Sequence, residues 1–522
     1  MKPPTILAVV LHAHLPYVRH PENEWHLEED WLHEAVVESY LPLIEKARGW
    51  EADGFQGVLA LSLSPPLVAM LGDELLQQRT RSYLARNISM AEDLVREAPT
   101  GPAAFYVERL ARLQKLWDEI GGLLEEFGRL QAQGVLSLMT SAATHALLPL
   151  YDQWPGVARL QMQTAVDQHQ KVFGKAPEGF WLPECGFSPL LGRALADANI
   201  KWTVLDAHAV LYGQPQPRFA VYRPVYLPEG TACFPRDRSA SRQVWSSQEG
   251  YPGDPIYRDF YRDIGWECSE QFLKKHLSSS WPDRRFTGLK LWQVGDHQGQ
   301  GSDYQPELAF LKAREHARHF LNGRCDHAKQ LQEALPIQPV LTSPFDAELF
   351  GHWWFEGLEF LDEVVRQAVH FPELQVAHPG VVLIEKAIAQ VQTPSASTWG
   401  QNGYHEVWLD DSNRWIYQHL HGVLQLLLNE IQEIGQNDNF AAGDQERLQA
   451  ATRHFMLASA SDWAFLMRTG HARDYADDRT KFHLQACLQV LKTGRDPEAY
   501  PIFPDLNWRL LVDFQAIEED GV

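Results

Sequence analysis

Cysteine is scarce in this chain: 5 of 522 residues, an odd number with no Cys-x-x-Cys pair. That excludes a disulfide scaffold or a thiolate zinc framework and suits reduced thiols. No apolar run reaches membrane-spanning length. The first, Ile6 to Leu11, is short and leads into His12 rather than a cleavage site, so neither a membrane anchor nor a secretion signal is expected, and the cytoplasm is the expected compartment. Long basic runs are missing too. With 46 Lys+Arg against 68 Asp+Glu and a net charge of −22, no segment can track a phosphate backbone, which excludes nucleic acid as a partner. Internal repeats and low-complexity stretches are likewise absent, and 45% apolar with 22% charged residues describes a folded chain of enzyme size.

Aromatic rings and imidazoles are what the chain has in abundance: 18 Trp, 16 Tyr and 22 His. Many stand beside Gly, Pro, Asp or Asn in segments that read as loops. Rings with a polar edge suit flat, hydroxylated ligands, because the ring face meets the C–H face of a sugar.

Short apolar runs alternate with amphipathic stretches up to about residue 380, the rhythm of βα units around a parallel sheet. The expected strands are Ile6–Leu11, Val58–Leu63, Val135–Met139, Gly179–Leu182, Trp202–Leu205, Leu289–Val294 and Val340–Ser343. One long helix is expected over Phe105–Leu130. Strands end in polar residues, including Ser64, Thr140, Asp206, His208, Asp296 and His297, as in β/α barrels whose chemistry gathers at C-terminal strand ends. Residues 212–256 lack periodicity and read as a functional loop or small insertion. After Pro394 the pattern turns helical, with runs at Arg414–Ile434, Gln445–Leu466 and Lys481–Leu491.

Several constellations can carry chemistry. In Gly179-Phe-Trp181-Leu-Pro-Glu184-Cys a lone carboxylate follows a buried strand, flanked by aromatics and with no need of it as a helix cap, since Ser188 serves that purpose better. In Phe345-Asp346-Ala-Glu348 two acids share one face of an extended chain, and either fits catalysis by spacing, whereas Glu356 suits the start of the next helix. Two carboxylates from opposite sides of a barrel mouth fit glycosidic bond cleavage. His12 and His14 share a face of the first strand, and sugar contact, metal ligation and a structural role all remain open to them. His145 is a similar case. Arg236, Asp237 and Trp245 lie in a segment that either clamps a ligand or closes on itself through Arg–Asp pairs. Trp399 and Trp408 sit on a Gly-rich junction suited to sugar stacking, and Asp462 is an acid inside a helical run, for a ligand or for an interdomain hydrogen bond.

These segments, in this order and over nearly the whole chain, resemble the five signature regions of glycoside hydrolase family 57, and within it the 1,4-α-glucan branching enzyme group. His12-Ala-His14-Leu-Pro-Tyr17 is similar to the first region, the His145 segment to the second and Trp181-Leu-Pro-Glu184-Cys to the third. Phe345-Asp346-Ala-Glu-Leu-Phe-Gly-His352 is similar to the fourth and Ser461-Asp462-Trp463 to the fifth. The resemblance implies an α/β fold, an incomplete (β/α)7 TIM-like barrel with a small inserted subdomain and a C-terminal α-helical domain. Residues 1–189 and 233–394 would form the barrel, 190–232 the insertion and 395–522 the helical domain.

By similarity Glu184 is the nucleophile and Asp346 the general acid/base of a retaining reaction on α-glucan, Glu348 has a supporting role, and no metal or other cofactor is needed. His12, His14, His145, Trp181, Arg236, Asp237, Trp245, His352, Trp399, Trp408 and Asp462 are then candidates for substrate contact. Transfer to a 6-hydroxyl makes a branch. Release to water makes an amylase, and transfer to a 4-hydroxyl a 4-α-glucanotransferase. A metal-dependent deacetylase and a non-catalytic glucan-binding protein are the remaining alternatives. One departure is Ser459, where branching enzymes of this family usually carry Gln.

Overall fold

The computed structural model describes residues 2–98, 101–245, 250–278, 284–295, 302–384, 390–436 and 442–512. Asp296 and His297 lie outside the described residues, as does part of the 212–256 segment. Among the described residues nine strands follow one another: β1 (Thr5–Ala13), β2 (Leu59–Leu63), β3 (Leu136–Ser141), β4 (Gly179–Trp181), β5 (Trp202–Leu205), β6 (Val225–Tyr226), β7 (Ala232–Pro235), β8 (Val340–Asp346) and β9 (Leu374–Ala377). Two compact units divide the chain, one of Met1–Leu61, Met70–Leu138 and Asp237–Val381, the other of Ser62–Ala69, Met139–Arg236 and Val382–Val522.

In the first unit β1 pairs in parallel with β8, from Ile6 beside Val340 to His12 beside Asp346, and in parallel with β9 on its other side. Every residue of β1 is buried, which is why its sequence is a continuous apolar run rather than an alternating one. The shared register brings His12 and Asp346 to the same C-terminal level. In the second unit β3, β4, β5 and β7 form a parallel ladder, and β6 returns antiparallel on β7. The helices Trp415–Gln436, Ala442–Ala458, Ser461–Thr469 and Arg473–Thr493 follow in the C-terminal part of this unit.

Three expectations need correction. Phe105–Leu130 is two helices, Pro102–Ile120 and Leu123–Ala132, because Gly121 adopts φ 72° and Gly122 is extended, the usual glycine stop. Gln445–Leu466 likewise breaks after Ala458, and Ser461 opens a new helix. Leu289–Val294 is no strand. Its carbonyls at Leu289, Lys290 and Trp292 accept from Ile264 N, Tyr106 Oη and Asp259 N, so loop and side-chain donors replace a ladder. β7, paired with β5, and β9, paired with β1, were not foreseen as strands. Among the described residues no helix is long and apolar enough to cross a membrane.

Candidate active site

Glu184 lies three residues beyond β4 in a tight turn with φ 62°, and Cys185 follows at φ 48°. Two consecutive non-glycine residues in the left-handed region are costly, so the surroundings must hold them there. Cys185 N donates to Leu182 O at 2.9 Å and Gly186 N to Pro183 O at 2.8 Å. Phe187 and Ser397 exchange backbone hydrogen bonds in both directions, and Trp399 N donates to Glu184 O at 2.9 Å. A side chain at Gly186 would meet Leu147 Cδ1 at 2.4 Å and Pro183 O at 2.9 Å, so the turn requires glycine there.

This turn presents the Glu184 carboxylate to donors supplied by distant parts of the same unit. Ser461 Oγ donates to Oε1 at 2.8 Å and Trp399 Nε1 to Oε2 at 3.0 Å. His145 Nδ1 lies 2.9 Å from Ser461 Oγ and 3.8 Å from Glu184 Oε1. The backbone of this histidine is also left-handed, at φ 58°, and its carbonyl accepts from Ser461 N at 3.0 Å. The Glu184 side chain keeps 15% exposure, enough for a reacting atom to reach it.

Aromatic groups frame the acid. Trp181 is fully buried and meets Trp399 nearly edge-on, with ring centroids 4.9 Å apart. The guanidinium of Arg236 sits 5.6 Å above the Trp399 ring and pairs with Asp206 at 3.4 Å. Asp206 Oδ1 and Gly403 O hold the two nitrogens of His208 at 2.9 and 2.8 Å, which ties the 397–408 loop to the end of β5. Trp408 was expected to be exposed but is 2% accessible, and its ring fills the space a side chain at Gly400 would take. Asp462 is half-buried in the first turn of its helix, where the macrodipole favours a negative charge.

In the first unit Asp346 is half-buried at the end of β8. Glu348 is buried, and its Oε1 accepts from His14 N at 3.0 Å and from the Tyr40 hydroxyl. Burial pushes the Glu348 carboxyl up to about 7, and the Tyr40 hydroxyl is raised by burial and then by the Glu348 and Asp346 charges. Glu348 therefore works as a brace for β1 and β8. Burial, then the neighbouring His14, holds His12 well below the usual imidazole range, so His12 is neutral and able to meet a sugar hydroxyl. The two rings stack with centroids 5.7 Å apart.

His352 Nδ1 lies 2.7 Å from Glu38 Oε2, and the same carboxylate pairs with the buried Arg258. Burial works to raise Glu38, but Arg258 and His352 outweigh it and hold that carboxyl well below its ordinary range. Glu356 is fully buried, precedes the helix Gly357–Gln367, and accepts from Arg258 N at 3.0 Å and Tyr304 Oη at 2.5 Å. Asp237 is committed internally: Arg324 pairs with it at 2.9 Å and Ser239 N donates to it at 2.9 Å. Trp245 closes the short helix Arg238–Trp245, with its ring 5.9 Å from the partly exposed Trp353.

Glu184 and Asp346 were each singled out in the sequence and Ser461 entered only within the signature triplet that holds Asp462, while Tyr40 and the Glu38–Arg258 pair were not singled out. Glu38 sits in a helical stretch where an acid reads as solvated.

Comparison with known proteins places these features. Residues 8–276 match the family model described as glycosyl hydrolase family 57, and residues 419–510 match that of the 1,4-alpha-glucan branching enzyme C-terminal domain. The 1,4-alpha-glucan branching enzyme of Thermococcus kodakarensis is 28% identical over 516 residues, covering 91% of this chain and 72% of that protein. Among solved structures, the alpha-amylase AmyC from Thermotoga maritima is 35% identical with a TM-score of 0.89, covering 98% of this chain and 99% of that one. The GH57-type branching enzyme from Pyrococcus horikoshii is 28% identical with a TM-score of 0.83, covering 98% and 97%. The fold class expected from the sequence, an incomplete (β/α)7 barrel with a C-terminal helical domain, therefore holds. Signature residues, fold and family match agree, and the chain belongs to glycosyl hydrolase family 57.

Proposed function

We propose that this protein is a 1,4-α-glucan branching enzyme, acting on α-glucan in the cytoplasm, with amylose, amylopectin or a glycogen-like polymer as donor and acceptor. The observation that carries it is the branching-enzyme C-terminal match over residues 419–510, in the same unit as Glu184 and the Ser461 that hydrogen-bonds to it. Glu184 attacks the anomeric carbon of an α-1,4 bond, and Asp346 protonates the departing oxygen. A glycosyl ester forms on Glu184. Asp346 then removes the proton of an incoming 6-hydroxyl as that oxygen displaces the carboxylate, so two inversions give net retention.

His12, His14, His145, Trp181, His352, Trp399 and Asp462 are the proposed contacts to the glucan, with Arg236 holding the Trp399 ring. Trp408, Asp237 and Trp245 serve by supporting the loops around them. Residues 1–189 and 233–394 are proposed as the catalytic domain, 190–232 as the insertion, and 395–522 as the helical domain that supplies Trp399 and Ser461.

Hydrolysis by the same two acids is the second reading, which the 35% identity to the alpha-amylase AmyC supports. Incubation with amylose separates the two, by counting new α-1,6 linkages against new reducing ends. A predominance of reducing ends rejects branching. Glu184→Gln is expected to abolish turnover without loss of fold.

A further inference from the structure

We propose that Ser461 is a positioning residue for the nucleophile, relaying a one-way chain of donors, His145 to Ser461 to Glu184, that aims the carboxylate and keeps it charged. This rests on the assignment of Glu184 as nucleophile. A serine hydroxyl carries one proton, and a charged carboxylate can only accept. The 2.8 Å contact from Ser461 Oγ to Glu184 Oε1 therefore consumes that proton. At the other contact, 2.9 Å to His145 Nδ1, Ser461 can only accept, so Nδ1 carries hydrogen.

Backbone bonds fix both members of the relay. Ser461 N donates to His145 O at 3.0 Å, and Ala146 and Ala460 form a β-bridge beside it. His145 is 3% exposed and Ser461 1%, so water does not compete for these contacts. Oε2 has its own donor in Trp399 Nε1. A donor on each oxygen restrains the rotation of the carboxylate and aims it for the reaction.

Groups facing Glu184 in this unit include His145 after β3, Ser461, Trp399, and Tyr417 on the helix Trp415–Gln436, and the Asp462 carboxylate lies within 4.8 Å of a His145 ring nitrogen. Burial and then the Tyr151 and Glu184 charges raise the Tyr417 hydroxyl well above its ordinary range, so it stays neutral.

The test is the pH profile of kcat/KM on amylose, whose acid limb reports the free enzyme's carboxylate. Removing a donor to the charged form makes that form harder to reach. Ser461→Ala is expected to lose about 10- to 100-fold in kcat/KM and to shift the acid limb up by roughly half to one pH unit. Ser461→Thr keeps the hydroxyl and restores the wild-type limb. Ser461→Cys, of nearly the same size with a weak S–H donor, falls between serine and alanine and serves if the alanine variant does not fold. A merely structural serine would lower the yield of active enzyme and leave the limb in place. An unmoved limb in Ser461→Ala, or in Ser461→Cys where alanine fails to fold, overturns the inference even when Glu184→Gln is inactive. Turnover by Glu184→Gln overturns the nucleophile assignment itself.

Discussion

Trp399 holds Glu184 twice, donating its backbone N–H to the carbonyl at 2.9 Å and its indole N–H to Oε2 at 3.0 Å. Trp399→Phe keeps a ring against Trp181 and Arg236 but removes one donor to the carboxylate. A hydrogen bond to a charged group contributes about 1.5–3 kcal/mol, so kcat/KM on amylose is expected to fall roughly 10- to 100-fold with little change in melting temperature.

Gly186→Ala tests the turn rather than the acid. The new methyl would stand 2.4 Å from Leu147 Cδ1 and 2.9 Å from Pro183 O. Overpacking of this kind costs about 1–3 kcal/mol. Denaturant unfolding is expected to show that loss, and turnover should drop more steeply than stability because the strain is relieved by moving Glu184.

Glu34 is buried near Glu38 and His352, and burial raises its carboxyl to about 8 from an ordinary 4.5. Folded Glu34 thus keeps its proton in a range where the unfolded chain has released it. The folded state binds more protons there, so this group's contribution is fully present below about pH 4.5 and is lost as pH rises toward 8. The slope is at most about 1.4 kcal/mol per pH unit. Glu34→Gln retains the shape and cannot titrate. The stability difference between wild type and variant, measured by unfolding from pH 5 to 8, should tilt toward the variant as pH rises.

Arg258 and Glu38 are almost fully buried, with side chains 1% and 6% exposed. Breaking such a pair leaves a buried charge and costs about 3–5 kcal/mol. Arg258→Met alone is expected to be strongly destabilised, and Arg258→Met with Glu38→Gln to recover part of the loss in a double-mutant cycle.

How much of this was legible from the residues alone follows from whether a signal was local. β1 could be read because a strand buried on both faces is a near-continuous apolar run, whereas β8 carries Thr342 and Ser343 and showed only its apolar start at Val340 and Leu341. Glu184 could be read because an acid between Pro183 and Cys185, just past a buried strand, has no solvent to face. Leu289–Val294 misled because an apolar run marks burial and not ladder pairing, and its carbonyls found other donors. The break at Gly121-Gly122 was present in the sequence, but the apolar periodicity continues through it. Trp408 resembled Trp399 in its setting, yet one ring is packed and the other meets the acid. Ser461 could not be linked to Glu184 by any pattern, since 277 positions separate them.

That separation bears on how the protein is made. The ribosome delivers Glu184 long before Ser461, so a nascent chain carries its acid without the hydroxyl that aims it. The left-handed turn around Glu184 also lacks its bonds to Ser397 and Trp399 until those residues emerge. A product cut short before residue 461 lacks that hydroxyl together with the helices Ser461–Thr469 and Arg473–Thr493, and is expected to leave amylose unbranched.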